Sequence, residues 1–185
     1  RIFWGASSFN GNISNWDVRR VTDMSYMFWS ASSFNGNISY WDVSSVTDMS
    51  GMFWSASSFN GNISNWDVRR VTDMSYMFRG ASSFNCDISS WDISSIIYNM
   101  DQMFNGATSF NQDLCAWGDK YLYHDEGDTW YYEGDNIFEG SGCTFQEGPK
   151  KDVKGPFCAS DCTFHRVSYC TLLTPYSSNL NQGIH

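Results

Sequence analysis

Residues 31–55 read ASSFNGNISYWDVSSVTDMSGMFWS, and close copies of that line surround it. Residues 6–30 read ASSFNGNISNWDVRRVTDMSYMFWS, residues 56–80 read ASSFNGNISNWDVRRVTDMSYMFRG, and residues 81–106 read ASSFNCDISSWDISSIIYNMDQMFNG. A fifth copy, ATSFNQDLCAWG, opens at Ala107 and then breaks off. A fixed period of 25 residues marks a repeat architecture, because one short unit cannot bury its own apolar side chains and must stack on its neighbours. The first and third copies differ only in their last two residues, Trp29-Ser30 against Arg79-Gly80. The second departs from both around Tyr40, Ser44, Ser45 and Gly51, so a 50-residue superperiod lies over the shorter one.

The whole chain fits this reading. It has 185 residues, 42% hydrophobic, with aromatic residues at 18% just ahead of charged ones at 17%, a balance that a disordered chain does not show. Fifteen glycines and the lack of a sustained heptad exclude collagen and coiled coil. A formal net charge of −9 argues against nucleic acid as a partner, since phosphate contact relies on clustered Lys and Arg. No apolar run approaches the roughly 18 residues of a membrane span.

Within a unit, Met49, Met52, Phe53 and Ala56 fall at i, i+3, i+4 and i+7, one face of a short helix with Thr47 or Asp48 as its N-cap. Trp41 and Val43 alternate around Asp42, which fits a short strand with Asp42 outward. The expected fold is therefore a repeat solenoid with one short β-strand and one short helix per 25-residue turn, and Phe, Trp and Met ladders as its core. Asn10, Asn35, Asn60, Asn85 and Asn111 are expected to form an inward amide ladder that satisfies turn carbonyls. The repeat region spans 1–117, as a partial turn, four full turns and the start of a fifth. Residues 118–185 form an acidic and then cysteine-rich C-terminal cap and tail.

Trp41-Asp42-Val43-Ser44, Val46-Thr47-Asp48-Met49 and Met52-Phe53-Trp54-Ser55-Ala56-Ser57-Ser58-Phe59-Asn60 resemble the divergent, BspA-like form of the leucine-rich repeat. The likeness covers residues 2–117. The segments around Cys115, Cys143, Cys158 and Cys162 look like the cysteine-bearing closing segment of microalgal members. The resemblance implies a leucine-rich-repeat-like solenoid in a surface or secreted protein used in adhesion and extracellular structure, and it carries no catalytic residues. Cys86, where the neighbouring turns have Gly, and the extra residue within Ile96-Ile97-Tyr98-Asn99 depart from the pattern.

The six cysteines, Cys86, Cys115, Cys143, Cys158, Cys162 and Cys170, crowd the irregular end, which reads as a disulfide-stapled cap made in an oxidising compartment. Six cysteines allow 15 pairings, and the choice stays open. The alternative is zinc at Cys158, Cys162 and His165, without finger-type spacing for the other ligands. Asn12, Asn37 and Asn62 head Asn-x-Ser sequons at one place in successive turns and are expected to carry N-glycans; Asp87 and Asp113 replace them later.

Two outward ladders vary between turns. Trp4, Trp29 and Trp54, with Tyr26 and Tyr76 beside them, make either a contact surface for sugar rings or protein, or a half-buried edge of the helix layer. Asp17, Asp42, Asp67 and Asp92 form a carboxylate row that Arg19-Arg20 and Arg69-Arg70 compensate at alternate members. Calcium is a weaker reading of that row, which lacks a loop of alternating oxygen ligands, and the same ion is a weak option for the acidic stretch from Asp119 to Glu139. His124, His165 and His185 stand in no recognisable triad, and there is no phosphate loop, His-Glu-x-x-His or Gly-x-Ser-x-Gly, so no enzyme is expected.

The chain opens at Arg1-Ile2-Phe3-Trp4-Gly5, in register with Tyr26-Met27-Phe28-Trp29-Ser30, without an initiator Met or signal peptide. Further turns or a neighbouring molecule are therefore expected before Arg1. Together these features point to a non-enzymatic, secreted structural or adhesive repeat protein, a subunit of a glycosylated extracellular fibril or surface assembly. The alternative is a monomeric extracellular module that binds carbohydrate or protein.

Overall fold

A computed structural model describes residues 1–96, 100–118, 136–148 and 157–162. Its local structure follows from a short motif that recurs within each unit, an Asn or Asp followed by an apolar residue and then a Ser or Arg. In the second unit Asn37 Oδ1 accepts the backbone N–H of Ser39 at 3.0 Å and its hydroxyl at 2.8 Å. Asp42 does the same for Ser44, at 3.1 and 2.6 Å, and Asp48 for Ser50, at 2.8 and 2.7 Å. Such side-chain acceptors bend the chain in competition with helix and strand. The residue between each pair, Ile38, Val43 or Met49, is driven inward and is at most 1% exposed.

Backbone turns join these bends. Trp41 N–H donates to the Ile38 carbonyl, Val46 to Val43, Met52 to Met49 and Ala56 to Phe53, all at 2.9–3.1 Å. The turns Met49–Met52 and Phe53–Ala56 carry a positive φ at their third residue, Gly51 at 57° and Ser55 at 58°, which no right-handed helix allows. The helix expected from the spacing of Met49, Met52, Phe53 and Ala56 is therefore absent. Those four side chains all point inward, each 0% exposed, but a series of tight turns brings them there. Trp41 and Val43 are likewise buried without a strand. Asp48 holds an Asx bend instead of capping a helix. Among the described residues the sole helical element is a 3-10 turn, Cys115–Trp117, and extended pairing is limited to isolated bridges such as Asp23 to Asp48 to Asp73. The expected leucine-rich-repeat-like solenoid, with a strand and a helix in every turn, is overturned by this arrangement.

Units stack through alternate backbone amides. Met49, Gly51, Phe53 and Ser55 donate to the carbonyls of Asp73, Ser75, Met77 and Arg79 in the next unit at 2.7–3.0 Å. The amides between them serve their own unit: Ser50 donates to Asp48 Oδ1, and Met52, Trp54 and Ala56 close local turns. This leaves few backbone groups to be buried without a partner. Elsewhere on the unit Thr72 donates to the Thr47 carbonyl, and the indoles of Trp41, Trp66 and Trp91 donate to Ile13, Ile38 and Ile63 at 3.1–3.2 Å. Trp117 is equally buried, but its Nε1 meets no acceptor among the described residues.

The asparagine ladder exists in a form other than the one expected. Asn35 N–H donates to Asn10 Oδ1, Asn60 to Asn35 and Asn85 to Asn60, each at 2.9 Å, and Asn111 to Asn85 at 3.0 Å. All five side chains lie on the outside, since the preceding Phe takes the inward place, and their amide oxygens receive backbone N–H groups where the sequence suggested donation to carbonyls. The core itself is two columns of phenylalanine. Phe28, Phe53, Phe78 and Phe104 stack at 5.5–5.6 Å, Phe34, Phe59, Phe84 and Phe110 at 5.7–6.0 Å, and the columns pack at 3.8–4.0 Å within each unit.

The stack resumes after the fifth copy breaks off. Phe104 and Gly106 donate to the carbonyls of Ile137 and Glu139 at 2.8 Å, and Phe138 stacks on Phe104 at 5.7 Å. Thr144 N–H extends the asparagine ladder onto Asn111 Oδ1 at 3.2 Å.

The Tyr26–Gly51 difference between the first two units has a packing origin. A Cβ at Gly51 would sit 2.5 Å from Cε1 of Tyr26, so the Tyr26 ring lies across the bare backbone of the next unit. Gly51→Ala is expected to lose about 1 kcal/mol or more in chemical denaturation, since it adds both a clash and left-handed strain. The loss should shrink by at least about 0.5 kcal/mol in a Tyr26→Ser background. Additive effects in that double-mutant cycle would refute the ring-over-glycine contact.

Candidate functional site

The structure brings the expected aromatic row together on one surface. Trp4 lies 4.7 Å from Trp29 and 5.6 Å from Tyr26, Trp29 meets Trp54 edge-on at 6.3 Å, and Trp54 stacks on Tyr76 at 5.3 Å. The row largely covers itself. The Arg79 guanidinium sits 4.9 Å from the Trp54 ring centre, and Arg1 sits 5.3 Å from both Trp4 and Tyr26. Tyr26, Trp29, Trp54 and Tyr76 are partly buried, and Trp4 is the most open at 46%. The row borders turns and not helices. Arg79, which follows the three Trp in the row, and Gly51 beneath Tyr26 also belong to this surface. Their signal was present in the substitutions that set the third and second copies apart.

The carboxylate row is organised by what stands two residues downstream. Arg19 grips Asp17 through Nε at 2.8 Å and Nη2 at 2.7 Å, and Arg69 grips Asp67 in the same way. Asp42 and Asp92, in the units between, accept from Ser44 and Ser94. The Arg19 side-chain hydrogen bonds hold the Asp17 carboxyl down at about 2, and Arg69 and Ser44 lower Asp67 and Asp42 in turn. Among the described residues no three His, Cys, Asp or Glu side chains gather as a metal site.

The three sequon asparagines, Asn12, Asn37 and Asn62, are exposed and share one geometry. Each Oδ1 accepts from the Ser two residues on, at 3.0–3.1 Å from the backbone and 2.8 Å from the hydroxyl. The Nδ2 atoms make no hydrogen bond among the described residues. Asp87 and Asp113 keep the bend, accepting from the N–H groups of Ser89 and Cys115.

Of the expected disulfide cysteines, Cys115 pairs with Cys162 and Cys143 with Cys158. Cys143 takes the place that a core Phe holds in the earlier units, and Cys158 pairs by backbone with Phe145, so both bridges pin 157–162 across the last unit. Cys86 is not part of the staple. Its thiol is free, in the Gly position of the repeat, with Sγ 3.8 Å from Asn62 Oδ1. Cys170, His124, His165 and His185, the zinc alternative that used His165, and the acidic stretch up to residue 135 lie outside the described residues.

A turn-built stack of 25-residue units, closed by a disulfide-pinned end, is thus the class of protein defined by fold and surface. The chain belongs to the family described as Mycoplasma protein of unknown function, DUF285, which matches residues 1–68 and 37–124. The BspA-like resemblance holds at the level of this family, with no leucine-rich-repeat assignment beyond it. Neither a curated protein nor a solved structure matches the chain. Two disulfides fit a protein made in an oxidising compartment. No helix among the described residues is long and apolar enough to cross a membrane.

Two measurements check this surface. In NMR titration the Asp17 carboxyl should have its midpoint at about 2, and Arg19→Ala should move it up toward the ordinary carboxylate range. Because the folded value is the lower one, the ion pair contributes above the unfolded value and is lost as pH falls toward 2. Replacing Cys143 and Cys158 together by Ser opens a loop of sequence separation 15 and should cost about 3 kcal/mol. Cys86→Gly, which restores the repeat, should change stability far less.

Proposed function

We propose that this protein is a non-enzymatic, secreted or surface-exposed structural protein, a stiff spacer in a glycosylated extracellular assembly such as a fibril. The observation that carries this reading is the ladder itself. Each unit spends its Asx, Ser, Thr and Trp polar groups on holding its own bends or the next unit, an investment in shape more than in reaction chemistry. End-to-end contact with a neighbouring repeat protein or a second copy extends such a stack as a heterologous, non-closing association.

Glycosylation of Asn12, Asn37 and Asn62 belongs to the same proposal. A glycan is attached at Nδ2, whereas the bend uses Oδ1, so the modification leaves each turn intact. The reading as a monomeric carbohydrate-binding module has less support, because Arg79 and Tyr76 already flank Trp54. Electron microscopy of the native secreted material tests the proposal: elongated assemblies are expected, and dispersed monomers at micromolar concentration would overturn it. Mass spectrometry should show N-glycosidase-sensitive mass lost stepwise in Asn12→Gln, Asn37→Gln and Asn62→Gln. Three unmodified asparagines would remove the glycan part alone.

A further inference from the structure

The superperiod also writes an alternating charge pattern on the face that carries the carboxylate row. On that strip the first unit has Asp17, Arg19 and Arg20, the second Asp42, Ser44 and Ser45, the third Asp67, Arg69 and Arg70, and the fourth Asp92, Ser94 and Ser95. Arg19 and Arg69 are taken up by their own aspartates in ion pairs of 2.7 Å. Arg20 and Arg70 are exposed and make no hydrogen bond or ion pair among the described residues. Asp42 is exposed, bonded to Ser44 and without an arginine in its own unit. The first and third units therefore present a spare positive charge on this strip and the second, at Asp42, a negative one. The Asp23, Asp48 and Asp73 column at its edge adds one carboxylate to each of the first three units alike, with Asn99 at that place in the fourth, and does not alter the difference between neighbouring units there. Between the two arginine-bearing units stands Tyr40, 85% exposed, the most open large apolar side chain described.

We propose that this strip is a docking surface for a second copy of the chain, related by a two-fold axis that crosses the stack between the second and third units. The charge order selects the orientation. A two-fold axis along the stack would set Arg20 against Arg20 and Asp42 against Asp42, and like charges in contact oppose association. An axis across the stack reverses the second copy, so its third unit faces the second unit here and its fourth faces the first. Ser45 then lies opposite Arg70 of the second copy, within reach of Asp42 beside it, and symmetry makes the contact twice. Tyr40 meets the arginine-bearing unit, where a guanidinium can cover its ring.

Four units at about 4.8 Å each make a strip only about 20 Å long, narrower than the roughly 800 Å² per partner of a standard interface. The association is accordingly weak. The net charge of −9 opposes approach at long range, but at about 0.1 M salt that repulsion is screened beyond about 10 Å, whereas facing pairs act at contact. This lateral pairing is separate from end-to-end stacking and stands or falls without it.

Sedimentation velocity on the full chain, treated with N-glycosidase because Asn37 lies close to Tyr40 in sequence, tests the proposal. At about 0.1 M salt a concentration-dependent monomer–dimer equilibrium is expected, and at about 1 M salt it should be lost. Arg20→Ser with Arg70→Ser borrows the residue the second unit already carries as Ser45, so the fold is kept. It should raise the dimer dissociation constant about tenfold. Arg70→Asp should weaken the dimer, and adding Ser45→Arg should restore it, which a parallel pairing does not allow. Monomers at every salt concentration, a dimer indifferent to salt and to Arg70→Asp, or open-ended polymers without a discrete dimer would each overturn the lateral contact.

Discussion

The acceptance of two hydrogens by one Asn or Asp oxygen, from the amide and the side chain two residues on, is the constraint on which the stack depends. At Asn37, Asp42 and Asp48 it bends the chain and turns the intervening Ile38, Val43 and Met49 toward the axis. Bends at this density leave no room for a strand or a helix of useful length. The backbone must then find another way to satisfy its amides, and it does so by sending every second one along the stack, as at Met49, Gly51, Phe53 and Ser55. The Phe columns follow, since units held in this register bring identical rings above one another.

Much of this was legible from residue spacing, and the gaps have physical causes. Repetition exposed the inward positions directly: Phe34, Ile38, Trp41, Val43, Val46 and Met49 are all buried. What spacing cannot tell apart is a helix from a run of turns with the same mean advance, because both place i, i+3, i+4 and i+7 on one side. The discriminating signal was chemical. Asp48 two residues before Ser50, and Gly51 two residues before Phe53, favour bends and left-handed backbone over helix. The asparagine ladder was found but turned the wrong way, because the sequence shows that Asn recurs and not which end of its amide is used.

The irregular end was harder to read. Cys86 shares its type with the cysteines of the irregular end, yet it stands in the repeat where Gly36 and Gly61 stand, and its thiol is free among the described residues. Ile137-Phe138 continues the core beyond a long interruption, and the only trace of it in the chain is a Phe followed two residues later by Gly140, as Phe104 is by Gly106. On the surface, copying distributes roles unequally: Asp17 and Asp67 take arginine partners, whereas Asp42 makes do with a serine.

The contact between Tyr26 and Gly51 bears on how such a chain changes length over generations. Recombination between near-identical copies readily inserts or deletes one of them. Removal of residues 31–55 would set Tyr26 over Tyr76 and bring Arg20 beside Arg70, whereas removal of residues 31–80 would keep arginine-bearing and serine-bearing units alternating but set Tyr26 over Gln102. The arginine alternation is thus kept only when copies are gained or lost two at a time, while the Tyr26–Gly51 contact ties the first unit to the second.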